Sequence, residues 1–252
     1  MSRRLSFNAA GRTDIGRVRE TNQDTLLLRP DLGLFVVCDG MGGHAAGEVA
    51  AALAATAIEG FIEDLGTTWP LDARGAPTDA LARLVTAVHH ANKHVYDTAA
   101  KDRRQRGMGT TVVAGLLREN TICLAHVGDS RIHRFRDGQL EQLTEDHTVC
   151  NEWIRQGMDA ALAQRLPKGA ALSRAVGTYP TVVVSARAET VLPGDVLLLT
   201  SDGVHRVVPA DEIARALTEL SDLTAGVERL ITRANEGGGP DNSTAILVRW
   251  DR

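Results

Sequence analysis

Short strand-like runs follow one another along most of this chain, and helical segments interrupt them in only two places. The runs are rich in Val, Ile, Leu and Thr, and one connection, Asp137-Gly138, is typical of a tight hairpin turn. This order favours antiparallel sheets with helices packed outside them, and it argues against a repeating strand–helix–strand plan. The runs are 24–29, 33–38, 110–117, 121–127, 131–136, 139–143, 181–188, 195–200 and 243–249.

Two pairs of helical segments accompany the strands. Apolar residues recur at helical spacing in 47–65 and again in 79–101. Late in the chain one helix begins at 209–212, and another over 223–236 ends at three glycines. So many strands are enough for two stacked sheets. We therefore predict an α+β fold, a four-layer α-β-β-α sandwich in which helical pairs flank two mainly antiparallel sheets.

The chain contains no internal repeat and no low-complexity linker, so we expect a single domain over residues 1–252. Its most loop-like stretch, 66–79, joins the first two helices. Stretch 146–180 has weak periodicity and is predicted to be an irregular insertion with one or two short helices. Long loops in compact domains often serve function.

Composition excludes several classes of protein. The formal net charge of -4 gives no reason to expect a nucleic-acid or membrane-surface binder. No run approaches the roughly 18 apolar residues of a membrane span, and the first residues lack the apolar core of a signal peptide. The three cysteines, Cys38, Cys123 and Cys150, form neither a disulfide framework nor a zinc motif. A reducing cytoplasm is the expected location.

Aspartates stand at the ends of the strand-like runs in a repeated design. Asp39 and Asp202 end apolar runs as Asp-Gly, and Asp129 ends a third as Gly-Asp. Asp241 lies just before the last run, and Asp24 stands at the start of the first. Because antiparallel strands place the ends of some beside the starts of others, the five carboxylates can meet at one edge of the sandwich.

Carboxylates gathered in one place repel one another, so either some are protonated or a cation is present. Carboxylate oxygens suit Mg²⁺ or Mn²⁺, and bridging carboxylates can hold two such ions about 4 Å apart to activate a water against a phosphoryl group. Gly40 would let its backbone carbonyl approach an ion, and Arg17 or Arg19 would suit a phosphate dianion. Asp-Gly after a strand is also ordinary turn chemistry. The pattern alone leaves turns and ligands both open.

Seven segments in order along the chain resemble the metal-dependent protein phosphatases, the type 2C serine/threonine phosphatases. The form D-G-M-G-G-H resembles the bacterial branch of that family. The segments are G-R-V-R-E-T-N-Q-D (16–24), V-V-C-D-G-M-G-G-H-A-A-G-E (36–48), G-M-G-T-T (107–111), H-V-G-D-S-R (126–131), L-T-E-D-H-T (143–148), L-T-S-D-G-V (199–204) and G-P-D-N-S-T (239–244).

The resemblance implies a metal centre with assigned ligands. Asp39 would bridge two Mn²⁺ or Mg²⁺ ions, the carbonyl of Gly40 would bind one of them, and Asp202 and Asp241 would complete the core. Asp24 would reach the ions through water. The implied reaction is hydrolysis of phosphoserine and phosphothreonine in proteins by a metal-activated water, opposing a protein kinase in signalling.

Further roles follow from the same resemblance. Arg19 matches the phosphate-binding arginine better than Arg17, and Asp129 matches a ligand of a third, weaker ion. The stretch 146–180 matches a flap beside the active site, and His147 is predicted to anchor its root. Phosphorylated proteins, a serine/threonine kinase or its targets, are the implied partners.

Two departures from the family pattern bear on the chemistry. Many members have an aspartate four residues after the position of Asp202, where this chain has Arg206, a cation that would repel a third ion. Many eukaryotic members have a histidine at the position of Met41, which cannot donate a proton. The leaving group would then be protonated by metal-bound water or another group, of which His44 is the nearest in sequence.

Two rival functions remain. A catalytically dead relative could serve as a binding module, although Asp39, Asp202 and Asp241 are all intact. An enzyme acting on a small phosphorylated metabolite is the other. Activity on phosphopeptides rather than sugar phosphates would distinguish a protein phosphatase from a metabolite phosphatase.

Overall fold

The computed structural model describes residues 6–42, 46–64 and 80–251, which form two β-sheets with helices on their outer faces. The strands of this part of the chain are β1 (Phe7–Asp14), β2 (Asp24–Arg29), β3 (Leu34–Met41), β4 (Gly109–Thr110), β5 (Val112–Arg118), β6 (Thr121–Val127), β7 (Arg131–Arg136), β8 (Gln139–Gln142), β9 (Ser185–Thr190), β10 (Val196–Thr200) and β11 (Ser243–Trp250). The α-helices are α1 (Ala46–Asp64), α2 (Ala80–Lys101), α3 (Val149–Arg155), α4 (Ala160–Arg165), α5 (Asp202–His205), α6 (Ala210–Thr218) and α7 (Leu223–Glu236).

Both sheets are antiparallel, as predicted. One has the strand order β1-β11-β10-β7-β8, and the other has the order β2-β3-β5-β6-β9, with β4 paired to the end of β3. The hairpin between β7 and β8 turns at Asp137 and Gly138, both of which have positive φ. Positive φ at two successive residues is the geometry of the tightest hairpin turn, and it accounts for the Asp-Gly pair.

Three apolar cores separate four layers, which confirms the predicted sandwich. Alternate residues of each strand point to opposite faces, so Leu34 and Val36 of β3 pack with α1 and α2. Phe35 and Val37 of the same strand pack between the two sheets. Leu198 of β10 lies in the third core, against α6 and α7. The inner face of β3 continues to Asp39, so the same alternation directs this carboxylate toward the space between the sheets.

The structure corrects three strand assignments. β1 has no counterpart among the predicted runs, because an edge strand with one partner needs little apolar sequence, and F-N-A-A-G-R-T-D has little. β9 begins at Ser185 rather than 181, since Val182 and Val184 pack into the helical core. β3 continues beyond the apolar run to Met41, because Gly40 and Met41 pair with β4. The predicted loop 66–79 lies outside the described residues.

The insertion contains two short helices, as expected. Thr148 caps α3 by accepting a hydrogen bond from the amide of Asn151, and Asp159 caps α4 in the same way through Leu162. An isolated bridge joins Thr148 to Leu172 and closes the base of the insertion. This flap is therefore an ordered structure with its own hydrogen bonds.

The thiols are free, as predicted: Cys38 and Cys123 are buried and Cys150 is partly exposed. Across the described ranges, we find no helix with the length and apolar character needed to cross a bilayer.

Asn92 of α2 ties the helical layer to the end of the insertion. Its Oδ1 accepts a 2.8 Å hydrogen bond from the buried amide of Gly177, and its Nδ2 donates to the carbonyls of Tyr179 and Pro180. We expect Asn92→Ala to lower the free energy of unfolding by about 1–3 kcal/mol, because these groups lose their partner inside the protein. Chemical denaturation measures it. His89→Ala, on the exposed side of the same helix, is the control, and an equal loss there would contradict the assignment.

Candidate metal centre

Four of the five predicted carboxylates line one cleft of about 280 Å³ at an end of the sandwich. They come from four different segments of the chain and are accompanied by two arginines, Arg19 and Arg206. The four are Asp39, Asp129, Asp202 and Asp241. The fold therefore brings these residues together, as the repeated design at the strand ends predicted.

Asp24, the fifth carboxylate, lies behind the cleft. It stands directly opposite Asp39 in the register of β2 and β3 and is only 7% exposed. Thr244 lies in β11 of the other sheet and Ser201 directly follows β10 of that sheet; both hydroxyls donate to Asp24 Oδ2 at 2.7 Å. Its Oδ1 is buried and has no partner among the described residues. Asp24 thus links the two sheets and keeps one oxygen free.

The backbone of Asp39 is fixed by the two threonines of G-M-G-T-T. The Thr111 amide and the Thr110 hydroxyl donate to the Asp39 carbonyl at 2.8 and 2.9 Å. The Asp39 amide donates to the Thr111 hydroxyl, which in turn bonds Ser130 at 2.7 Å. The motif is thus a clamp on Asp39 rather than a phosphate-binding loop.

Gly40 leaves no room for a side chain. A Cβ at this position would lie 2.6 Å from the carbonyl oxygen of Gln23 and closer still to the carbonyl oxygen of Gly47. The amide of Gly40 donates to that same Gln23 carbonyl at 3.1 Å. The crowding is backbone against backbone, so this position requires glycine.

Asn242 positions the loop that carries Arg19. Its Oδ1 accepts from the amide of Gln23, and its Nδ2 donates to the carbonyls of Ile15 and Thr21, all within 2.9 Å. Arg19 then reaches the cleft, and its Nη2 donates to Asp241 Oδ2 at 2.6 Å. Arg17 does not line the cleft; its amide donates to the Gly239 carbonyl. The structure therefore places Arg19, not Arg17, at the site.

Arg206 joins two of the carboxylates. Its Nη2 donates to Asp129 Oδ2 at 2.5 Å, and its Nη1 lies 3.1 Å from Asp202 Oδ2. The Asp129 side chain is 6% exposed, whereas that of Arg206 is 46% exposed. A guanidinium is therefore bound where the family resemblance implied a third ion.

Burial and mutual repulsion raise the pKa values of the carboxyl groups. Burial is the larger cause at Asp39, whose pKa lies well above its usual range, and the charges of Asp24 and Asp202 add to it. Burial raises the pKa of Asp24 to about 6, against the hydrogen bonds from its two hydroxyl donors. The pKa of Asp129 also rises to about 6 through burial, although Arg206 lowers it. Such shifts show that this cleft favours added protons or cations.

The residues fit two divalent ions. Hard oxygen ligands surround the cleft, and Asp24 Oδ1 and Asp202 Oδ1 are buried without a hydrogen-bond partner in the described part of the chain. Within that part, no three acidic, histidine or cysteine side chains already stand close enough to grip an ion. Arg19 and Arg206 account for this, because they hold Asp241, Asp129 and Asp202. Arg19 holds one of these carboxylates, whereas Arg206 bridges two of them, Asp129 and Asp202.

Several positioning residues were not predicted from the sequence. Ser201, Thr244, Thr111 and Asn242 lie inside the quoted motifs, beside the aspartates, but only the folded structure shows which group each one binds. His44 lies outside the described residues. The predicted anchor His147 accepts the amide of Gly128 on Nδ1 at 3.1 Å, next to Asp129.

Comparison with known proteins identifies relatives across nearly the whole chain. The model of the family described as protein phosphatase 2C matches residues 15–236. The serine/threonine phosphatase stp of Listeria monocytogenes is 34% identical over 249 residues, which cover 97% of this chain and 96% of that protein.

Solved structures agree with this. The serine/threonine phosphatase PstP/Ppp of Mycobacterium tuberculosis superposes with a TM-score of 0.85 at 32% identity, covering 98% of this chain and 99% of that one. The catalytic domain of the phosphatase PstP in complex with two manganese ions gives a TM-score of 0.82 at 32% identity, covering 98% and 100% of the two chains. The predicted fold and the resemblance to the bacterial branch are confirmed.

The Arg206 bridge predicts the number of ions that the protein binds. We expect native mass spectrometry and calorimetry to find two Mn²⁺ on the wild type and an additional, weaker ion on Arg206→Ala, because that change frees two carboxylates. Arg215→Ala is the matched control, since Arg215 also pairs with an aspartate at i,i+4 spacing, but both side chains are exposed to solvent. Three ions on the wild type would contradict this account.

The raised pKa of Asp24 predicts how stability depends on pH without metal. Between its ordinary value of 3.8 and about 6, the folded state binds more protons than the unfolded state. The free energy of unfolding of the chelated protein should therefore fall as pH rises through this window, by on the order of 2–3 kcal/mol from this group. Denaturation at pH 4 and pH 7 measures the fall. Asp24→Asn should flatten it, and an unchanged slope in the variant would refute the prediction.

Proposed function

The chain belongs to the protein phosphatase 2C family, and we propose on that premise how its residues carry out the family's reaction. The protein is a metal-dependent protein-serine/threonine phosphatase that hydrolyses phosphoserine and phosphothreonine with Mn²⁺ or Mg²⁺. The observation that supports the residue roles proposed below is that four carboxylates and Arg19 line the same cleft.

Two ions would be held by Asp39, Asp202, Asp241 and the carbonyl of Gly40. When bound, they would activate a water and offset the negative charge of the phosphoryl group. Asp39 contributes the central carboxylate, and hydrogen bonds from Thr110 and Thr111 fix its backbone. Asp24 stays behind it, and its free Oδ1 supports the role of a ligand that acts through water.

Arg19 binds the phosphate. Its side chain is 52% exposed at the edge of the cleft, and its one carboxylate partner, Asp241, is itself a candidate ligand. Once Asp241 binds an ion, the guanidinium is free to donate two hydrogen bonds to the phosphate oxygens. The loop fixed by Asn242 keeps Arg19 within reach of the reacting group.

The proton for the leaving group comes from outside the protein's described side chains. Met41 lines the cleft and has no proton to give; the arginines of the lining stay charged, and its aspartates are assigned to the ions or paired with Arg206. Water is the available donor, with His44 as the alternative that mutation would test.

We further propose the setting of the enzyme. Residues 1–252 form a single catalytic domain with a flap-like insertion near 146–180, which carries α3 and α4. Phosphorylated proteins are its substrates, produced by a serine/threonine kinase in a signalling system. Two buried free thiols, Cys38 and Cys123, support a reducing cytoplasmic location.

Activity assays with matched variants test these roles. We expect wild type to hydrolyse a phosphothreonine peptide with Mn²⁺, to lose that activity with chelator, and to prefer the peptide over sugar phosphates. Asp202→Ala should lower kcat/KM by about 100-fold or more, because weakened ion binding forfeits several kcal/mol of transition-state stabilisation. Asp211→Ala, an exposed aspartate nine residues later, is the control and should keep full activity.

The same assays separate the rivals. A folded wild type that is inactive with every metal would favour a binding module. Equal or better hydrolysis of sugar phosphates would favour a metabolite phosphatase. Arg19→Ala should mainly raise KM and so should distinguish phosphate binding from metal binding, which Mn²⁺ calorimetry reports separately.

A further inference from the structure

A second cleft adjoins the catalytic cleft. We name it the flap cleft; it measures about 550 Å³ and is formed by α3, α4 and the turn 166–170, together with Asp146 and Arg206. Arg206 and Ala170 line both clefts, so the two clefts are neighbours. A polypeptide whose phosphorylated residue occupies the catalytic cleft would therefore place neighbouring residues in or over the flap cleft.

Backbone hydrogen bonds hold the walls of the flap cleft in place. The amide of Cys150 donates to the carbonyl of Gly169, and the amide of Val149 donates to the carbonyl of Ala171, both at 2.9 Å. These bonds fix the turn 166–170 against the start of α3. A rigid recess loses little conformational entropy when a ligand binds, so its charges can discriminate between ligands.

Lys168 is the exposed, unshared cation among the charged residues that line the flap cleft, which are Asp146, Lys168 and Arg206. Lys168 stands exposed on the turn with a φ of +67°, and among the described residues no carboxylate forms an ion pair with it. Asp146, the acidic residue of the lining, is neutralised by Arg131, whose Nε and Nη2 both donate to it. Arg206 is offset by Asp129 and Asp202, so Lys168 dominates the electrostatics of this cleft.

Asn151 and Gln164 complete the polar lining with amide groups that suit a peptide backbone. An extended chain advances about 3.3 Å per residue, so the residues within a few positions of the phosphoresidue are the ones that can reach Lys168. The exposed ammonium group of Lys168 would pair with an anionic group of such a chain.

We propose that the flap cleft recognises an acidic side chain in the substrate segment beside the phosphoserine or phosphothreonine, with Lys168 as its principal partner. This inference rests on the proposed function and names the substrate class of the same site. It makes the phosphatase selective for phosphorylated residues in acidic surroundings.

The test compares four substrates with Mn²⁺: phosphothreonine peptides with glutamate, glutamine or lysine on both flanks, and p-nitrophenyl phosphate, which has no flanks. We expect wild type to show a kcat/KM about two- to fivefold higher for the glutamate peptide than for the glutamine peptide, the range of one partly exposed ion pair. The lysine peptide should be the poorest, and added salt should reduce the differences.

Variants at Lys168 identify the partner. Lys168→Gln keeps a side chain of similar length on the same backbone conformation and should remove the glutamate preference, and Lys168→Glu should reverse it toward the lysine peptide. Arg165→Gln is the matched control, since Arg165 is exposed on the same flap but does not line the cleft. Every variant should hydrolyse p-nitrophenyl phosphate as wild type does, because Lys168 does not line the catalytic cleft.

The outcomes separate the two proposals. Wild type that hydrolyses p-nitrophenyl phosphate but treats the three peptides alike would overturn the flap-cleft inference and leave the phosphatase intact. A preference that survives in Lys168→Gln, or disappears equally in Arg165→Gln, would also overturn it. Loss of activity on all four substrates would instead refute the proposed function.

Discussion

Negative charge concentrated at one end of the space between the two sheets is the constraint on which the site depends. Asp24 and Asp39 face each other in neighbouring strands, and Asp202 and Asp129 lie near enough to raise the pKa values around them. Asp24 and Asp129 are buried, so each of these charges needs a compensating partner. Hydroxyl donors and arginines supply part of that compensation, and divalent ions would supply the rest.

This arrangement places stability and function in opposition. A sandwich of apolar faces would be more stable with apolar residues at its end, and the raised pKa values measure the cost of charge there. The cost is recovered when a cation binds, since ligand binding to the folded state stabilises it. The surrounding hydrogen bonds, such as those from Ser201 and Thr244 to Asp24, keep the carboxylates in place until then.

Arg206 compensates part of the negative charge of the site through its pairs with Asp129 and Asp202. A guanidinium carried by the chain is always charged, and its planar fork can hold two carboxylates at once. Arg206 stands where the family resemblance implied a third, dissociable ion. The same side chain also lines the flap cleft. One residue thus connects the electrostatics of the metal centre with the surface where a substrate segment would lie.

The sequence by itself determined the layers and the candidates. Alternating and helical periodicities specify strands and helices because they reflect which side of each element is buried, and the aspartates at the strand ends follow from that placement. The sequence did not predict β1, because this segment has few apolar residues and forms a strand through its pairing with β11. The motifs contain Thr111 and Asn242 beside the aspartates, but the sequence does not show which groups these side chains bind.

Only the tertiary structure decided which groups meet. Arg206 and Asp129 are 77 positions apart, and no local pattern links them. The choice of Arg19 over Arg17, the free oxygen of Asp24 and the proximity of the two clefts likewise depend on contacts between distant segments. Periodicity reports burial one element at a time, whereas the chemistry of this site arises from side chains of four segments that share one small cleft.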